Sequence, residues 1–439
     1  MVTGAVLLLL AGMSLLWTRE PTYDPWSWIL WSREIAHGSL STTTGPSWKP
    51  LPVLLTVPFA LVSDTLAPLA WLVIARAGGL LALVLTFRLG HRLAGPWAGT
   101  LAALSLLLAS GFVRDAARGN SEGLLVALVL GALLRHLDGG RRSTWLLLLG
   151  AALLRPEVWP ALLLYGLYLV LRVPGSRVLV AVSLLALAVL WLGPEYVGSG
   201  NALRASDRAR QPNPDSAAFA AWPFLEVLRR SASVLAIPVL AGAAVGLVFA
   251  VRQRRRLVLL LGALAAVLLA IVAAMTQVGY SGNLRYVVLP GALLCAVAGW
   301  GWVRAARAWR WPTAVAALLA LPFLVVSGQH LRDDLRFVQD EAELYGDLPA
   351  AVALAGGREK VLQCGQILTG PYSTPTLAWT LDARLEQTEL FPDSGRPGTV
   401  IIPRLGPGTG FNDPLSLWRD PGYTDVGTTA HWLVRERCG

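Results

Sequence analysis

The sequence predicts an α-helical polytopic membrane protein of about eleven transmembrane helices, with interfacial helices in its first outer loop and a small extracytoplasmic α/β domain at the C-terminal end. Three observations predict this. Of the 439 residues, 55% are hydrophobic and only 15% charged, whereas soluble domains carry about 25% charged residues. The apolar residues gather in Leu/Ala/Val blocks near the length of about 20 residues that one bilayer crossing needs. Past residue 328 the chain turns polar, with short strand-like runs between Gly and Pro turns.

The first apolar block, Val2–Trp17, has no basic flank before it and no small-residue cleavage site after it, so it reads as a retained helix. A polar stretch from Thr18 to Lys49 follows and contains TYDPWSWILWSREIAHGS. Asp24 and Pro25 mark a helix start, with Pro at the first helical position. That places Trp28, Ile29, Trp31 and Ile35 on one face of a helix lying at headgroup level. Leu51–Val62 is short and Pro-rich and is expected to dip into the membrane without crossing it. Further spans fall at roughly 67–87, 97–112, 121–137, 144–155, 158–171, 178–192, 232–250, 257–275, 286–303 and 312–328. Arg155, Pro156 and Glu157 interrupt the fourth and fifth of these, which are expected to be two short helices meeting at the outer face.

Orientation follows from the loops. With a cytoplasmic N-terminus, the inner loops hold Arg88 and Arg92, Arg141 and Arg142, Arg172 and Arg177, Arg252 and Arg254 to Arg256, and Arg304, Arg307 and Arg310. Asp138 is the sole acid among them, as the positive-inside rule requires of short loops in a plasma-membrane protein. The long outer loop Gly193–Ser231 also carries arginines, but long loops weigh little in that rule. An odd number of crossings then divides the chain into a transmembrane part, 1–328, and an extracytoplasmic part, 329–439.

The net charge of +10 does not indicate nucleic acid, because the arginines punctuate apolar blocks and form no basic patch on a soluble fold. Cys295, Cys364 and Cys438 make no CxxC pair, and the five histidines show no metal-ligand spacing. Cys364 and Cys438 would share the oxidising side, where a bridge and two separate thiols are both open. Cys295 lies in an apolar span and reads as packing.

A charge in hydrocarbon costs about 2.5–3.5 kcal/mol even on lenient scales, so charges at helix ends pair, face a cavity or work. On the expected outer face they cluster: Glu20 and Asp24; Lys49 in GPSWKPLP; Arg114, Asp115, Arg118 and Glu122 in FVRDAARGNSEG; Arg155 and Glu157 in RPEVW; Arg285 in GYSGNLRYVVLP. Carboxylates and cations mixed at one membrane surface point to chemistry on an anionic lipid headgroup. Plainer readings stand beside this one: Arg114 and Asp115 as a structural ion pair, and Asp24 as a helix cap. Lys49, between Trp48 and Pro50, has a stem suited to packing and an ammonium suited to a phosphate.

Topology, loop placement and these residues together resemble the polytopic C-type (GT-C fold) glycosyltransferases, which take a sugar from a polyprenyl-phosphate carrier. In that family the first outer loop carries an acidic residue just after the first helix, the place of Glu20 and Asp24 in TREPTYDPWSW. The run Arg118–Glu122 resembles the family's outer loop between its early helices, and LRYVVLPG at Leu284–Gly291 resembles a later helix that opens with Arg-Tyr. The family often pairs its first-loop acids directly, whereas Glu20 and Asp24 stand four apart with Pro21 between them. The C-terminal segment matches nothing in the resemblance.

The resemblance implies an inverting transfer, with Asp24 as general base on an acceptor hydroxyl and Glu20 as second candidate. It implies cations for the phosphate of the donor, Lys49 and Arg285 first and Arg118 and Arg155 second. It implies contacts to substrate from Trp28, Trp48, Glu122, Glu157 and Tyr286. The partners would be the lipid-linked donor, membrane lipids, and a glycan, lipid or protein acceptor of the cell envelope. No nucleotide pattern is present, and a divalent metal, Mg or Mn, is left open. Composition rich in Ala, Leu, Arg and Gly with few lysines fits a high-GC, actinobacterial setting. Mannose and arabinofuranose are the sugars weighed, and Trp379, Trp418 and Trp432 are considered for an acceptor glycan against a plain core role. Rival classes are a lipid-linked sugar transporter or flippase, which would show internal repeats or a midplane site, a non-catalytic envelope assembly subunit, and an oligosaccharide ligase with a lipid-diphosphate donor.

Overall fold

A computed structural model of the protein describes residues 2–370, 372–390, 397–404 and 422–438. Among the described residues, five helical stretches are long and apolar enough to cross a membrane: Leu66–Ala94, Arg177–Ser199, Arg256–Gln277, Leu284–Ala308 and Arg310–Leu354. Shorter apolar helices are Thr3–Leu16, Pro50–Ala60, Pro96–Leu107 and Ile237–Arg252. The helix expected at 97–112 thus ends sooner, and the one expected at 232–250 begins later, than hydropathy suggests. Pro96–Leu107 stops where the chain turns through left-handed Gly111 (φ 76°) into the short helix Phe112–Ala117. The block at 144–171 is two short helices, Arg141–Ala152 and Trp159–Arg172, separated by a 3₁₀ turn at Pro156–Val158. Arg155, preceding Pro156, is extended (φ −147°, ψ 127°), as steric conflict with the proline ring demands.

The chain forms two compact units. One comprises Met1–Ala11, Val73–Trp191 and Ser206–Leu335; the other comprises Gly12–Leu72, Leu192–Ala205 and Arg336–Gly439.

In the first unit, helix Val288–Ala308 is buried along most of its length and is packed through small residues. A Cβ placed on Gly301 would run into the carbonyl oxygen of Gly242 and lie 2.7 Å from the Gly246 nitrogen and 2.8 Å from its Cα. A Cβ on Gly299 would meet the Ala98 carbonyl in the same way. Backbones meet here without side chains between them, the usual solution where lipid supplies no hydrophobic drive for helix association. Gly301→Leu is therefore expected to cost at least the 1–3 kcal/mol typical of overpacking, read as a lower unfolding midpoint in detergent. Cys295 on the same helix is free and buried.

In the second unit, Tyr23–Ala36 forms a helix as expected, though its start differs. The Trp26 amide already bonds the Thr22 carbonyl at 2.9 Å, so the helix begins at Tyr23 and Asp24 lies in its first turn, not at its cap. Its tryptophans also differ from the expected headgroup placement. Trp26, Trp28 and Trp31 are all buried in protein. Trp28 meets Trp71 edge-on (centroids 5.5 Å) and Trp31 packs on Trp48 (5.4 Å).

The C-terminal segment of this unit builds a five-stranded sheet from β1 (Gln366–Thr369), β2 (Thr388–Leu390), β3 (Gly398–Pro403), β4 (Thr424–Thr428) and β5 (Trp432–Arg437) in the order β2-β1-β3-β5-β4. β1 pairs parallel with β2 and β3, while β5 pairs antiparallel with β3 and β4. β3 is buried at every position, which explains its unbroken apolar run Thr399–Pro403. Trp432 is fully buried and donates from Nε1 to the Leu344 carbonyl at 2.8 Å, so it belongs to the core and not to a glycan surface. Trp418 lies outside the described residues. Cys364 and Cys438 are bridged, with Cα atoms 4.7 Å apart.

Candidate active site

The segment between Thr18 and Lys49 is held down from several sides within its unit. Arg33 donates from Nη1 to Asp382 (3.1 Å) and from Nη2 to the Ala383 carbonyl (2.5 Å), and its guanidinium lies over Trp379 (4.9 Å). Trp379 in turn packs on Trp26, centroids 5.1 Å apart. The Glu34 carboxylate accepts from the amides of Ser41 (3.0 Å) and Leu385 (3.2 Å). Arg204 donates to the carbonyls of Pro46 (2.8 Å) and Gly45 (3.0 Å) and faces Glu195 at 3.6 Å. A loop so braced keeps Glu20, Asp24 and Lys49 in fixed places.

Lys49 immediately precedes helix Pro50–Ala60 and is 8% exposed, with Nζ 4.6 Å from the ring centroid of Trp28. Trp28 and Trp48 are enclosed at 1% and 2% exposure. Neither ring is open to solvent: Trp28 lies against the Lys49 ammonium, and Trp48 packs on Trp31. Asp24 is half-buried in the first turn of Tyr23–Ala36, where the aligned peptide dipoles favour a negative charge.

Glu20 is different. Its Oε1 accepts the Trp26 Nε1–H at 2.7 Å. Burial pushes the Glu20 carboxyl up to about 8; the Trp26 hydrogen bond works against that rise and the nearby Glu341 charge adds to it. Glu341 itself is buried and accepts from the Thr22 hydroxyl at 3.4 Å. A carboxyl that keeps its proton at neutral pH cannot accept one, which separates the two first-loop acids by chemistry. The sign for stability follows. Below about pH 4.5 Glu20 is protonated folded and unfolded; from there to about pH 8 only the folded chain holds the proton, so stability falls as pH rises through this window. Glu20→Gln, which keeps an acceptor for Trp26, is expected to flatten that fall, as unfolding midpoints measured from pH 5 to 9 would show.

In the other unit, five of the expected residues come together: Glu122, Arg155, Glu157, Arg285 and Tyr286. Arg155 pairs closely with Glu122, faces Glu157 at 3.8 Å, and stacks its guanidinium 3.9 Å from the Tyr286 ring centroid. Arg285 faces the same Glu122 at 3.7 Å and donates from Nη1 to Asn120 Oδ1 at 3.0 Å. Asn120 also donates to Asp115 at 3.4 Å. Burial pushes the Asp115 carboxyl up, while the Arg114, Arg285 and Arg118 charges pull it back. Arg118 caps the C-terminal end of Phe112–Ala117 and is half-buried. Arg114 pairs with Asp115 (3.7 Å) and with Asp334 (3.1 Å), which gives it the structural role weighed for it.

Glu341, Trp26, Asn120 and Asp334 were not singled out from sequence. Glu341 and Asp334 lie hundreds of residues from their partners, and no local pattern announces them. Asn120 stood inside the motif Arg118–Glu122 without a role of its own. Among the described residues, no group of three or more His, Cys, Asp or Glu side chains is placed to hold a metal ion.

No known protein-family signature matches the chain, and no curated protein does. Solved structures do. ArnT from Cupriavidus metallidurans bound to undecaprenyl phosphate superposes with a TM-score of 0.57 at 16% identity, covering 99% of this chain and 97% of that one. This chain has the fold of ArnT. The apo state of ArnT gives a TM-score of 0.54 at 18% identity, covering 99% and 98% of the two chains. The apo oligosaccharyltransferase of Archaeoglobus fulgidus gives 0.49 at 14% identity, covering 88% of this chain and 64% of that one. The ArnT fold thus takes in the apolar helices and the C-terminal sheet alike.

Proposed function

We propose that the chain is a membrane glycosyltransferase that moves a sugar from a polyprenyl-phosphate donor to a glycan, lipid or protein acceptor of the cell envelope, on the outer face and with inversion. One observation carries the reading: the fold, over nearly its whole length, is that of ArnT, a protein whose structure holds undecaprenyl phosphate. The chemistry needs a base for the acceptor hydroxyl and cations for the departing lipid phosphate.

Asp24 is the base in this reading. It takes the proton from the acceptor hydroxyl as that oxygen attacks the anomeric carbon and the bond to the lipid phosphate breaks. Glu20, holding its own proton, is a positioning group. Lys49 offers a buried point charge to phosphate. In the other unit, Arg285 and Arg118 are the cations proposed for phosphate, while Arg155, engaged by Glu122 and Tyr286, fixes the group and leaves Glu157 and Tyr286 to contact substrate. Removing one fixed stabiliser of developing charge commonly costs about 2.7–4 kcal/mol in the barrier. The reading also includes eleven crossings in all, a cytoplasmic N-terminus, a transferase part at 1–328, an extracytoplasmic part at 329–439, mannose or arabinofuranose as the sugar, and an actinobacterial envelope as the setting.

The test is transfer from synthetic polyprenyl-phosphate mannose and arabinofuranose to envelope acceptors by the purified protein in detergent. Release of polyprenyl phosphate with inverted product supports the reading. Absence of transfer together with passage of the lipid-linked sugar across proteoliposomes would replace it with a flippase.

A further inference from the structure

Helix Leu66–Ala94 has 29 residues. At about 1.5 Å per residue it is some 43 Å long, against a hydrocarbon core of about 30 Å. Its charged last turns, with Arg88, His91 and Arg92, are the end suited to headgroup level. Between them and the end of helix Glu122–Leu137 lies a cavity of about 400 Å³. Leu85, Gly131 and Leu134 give it an apolar lining. Arg88 and Arg92 from the first helix and Arg135 from the second give it three guanidiniums, with His91 beside them and Asp138 the one acid.

Those charges do not cancel. Asp138 is held by Arg92 at 2.6 Å. Arg135 donates to the Ser143 hydroxyl at 3.2 Å, and His91 stacks on Phe87, centroids 5.8 Å apart. Arg88 is exposed and, among the described residues, is in no ion pair. Gly131 lines this space, and a Cβ there would sit in ordinary contact with Leu147 and Leu85 at 3.6 and 3.7 Å. Arginines that merely snorkel from helix ends need neither a shared cavity nor an apolar floor. Three from two helices around one cavity match an anion that carries hydrocarbon.

We propose that this groove binds an anionic phospholipid, its phosphate on Arg88, Arg92 and Arg135 and its acyl chains along Leu85 and Leu134. Basic pockets between transmembrane helices recognise anionic headgroups in this way. The proposal stands apart from the transferase reading and concerns a different part of the fold.

Native mass spectrometry of the full chain in detergent, titrated with dioleoyl phosphatidylglycerol or dioleoyl phosphatidylcholine, tests it. The expected result is one saturable phosphatidylglycerol adduct and no equivalent phosphatidylcholine adduct. Arg88→Ala is expected to weaken that adduct about fivefold, the worth of one arginine near a lipid headgroup. Gly131→Leu, which fills the cavity without touching a charge, is expected to weaken it too. Gly131→Ala, whose Cβ fits, gives a folded variant with a smaller loss. Arg142→Ala, which removes an exposed arginine outside the cavity, should change nothing. The proposal is overturned if phosphatidylcholine binds equally, or if Arg142→Ala matches Arg88→Ala. It is also overturned if both Gly131 variants bind like wild type, or if excess inorganic phosphate displaces the lipid, which would make the groove a site for free phosphate.

Discussion

Asp24→Asn is expected to lower sugar transfer by about 10²–10⁴-fold, the usual contribution of a positioned base, while the protein stays folded. Asparagine preserves the shape of the side chain and removes only its capacity to take a proton. Asp24 lies in the first turn of Tyr23–Ala36, where the aligned peptide dipoles favour a negative charge by about 0.3–1 kcal/mol. Glu20 offers no substitute, because burial and the neighbouring Glu341 hold its proton near neutrality. Single-turnover transfer with saturating donor, alongside the unfolding midpoint, makes the comparison. A drop in kcat with an unchanged midpoint is the expected pattern. Wild-type turnover in the variant would remove Asp24 from the mechanism and leave the transferase class standing.

Glu122→Gln is expected to destabilise the protein by about 3–5 kcal/mol, the cost of breaking a buried ion pair from one side. Glu122 is 3% exposed and Arg155 6%, and the same carboxylate also faces Arg285 at 3.7 Å. Removing it leaves two guanidiniums close together without their shared countercharge. The double replacement Glu122→Leu with Arg155→Met is expected to recover much of the loss, since a well-packed apolar pair often replaces a buried salt bridge without penalty. Unfolding of Glu122→Leu, Arg155→Met and the double variant in detergent measures the coupling directly. Additive losses would mean that the two residues do not act as a pair.

The sequence made the composition of this fold legible, and its charge sorting made part of the candidate site legible. Apolar blocks located the long helices, and TVIIP and HWLVRER fell on β3 and β5. Charges read as an outer-face cluster included Glu122, Arg155, Glu157 and Arg285, which the structure assembles around Tyr286. Other parts were legible but passed over. The segment after residue 328 looks polar, yet helix Arg310–Gly346 runs on into it as far as Gly346. Val338, Glu341, Leu344 and Tyr345 recur at helical spacing and are all buried, so periodicity, not hydropathy, held that signal. The disulfide was undecided because spacing in the chain says nothing about distance in space. The proton on Glu20 was beyond reach, since it depends on burial and on a carboxylate more than three hundred residues away.

The clasp on the segment between Thr18 and Lys49 also bears on how the protein is made. Arg33 and Asp382 are 349 residues apart, and Glu34 and Leu385 are 351 apart. At about 5–20 residues per second, a ribosome needs roughly 20–70 s to pass from one partner to the other. Throughout that interval Arg33 lacks both Asp382 and the Ala383 carbonyl, and Glu34 has the Ser41 amide but not that of Leu385. Proteases and chaperones meet the nascent chain in this unclasped form, so changes at Asp382 should reduce the yield of the protein before they reduce its activity.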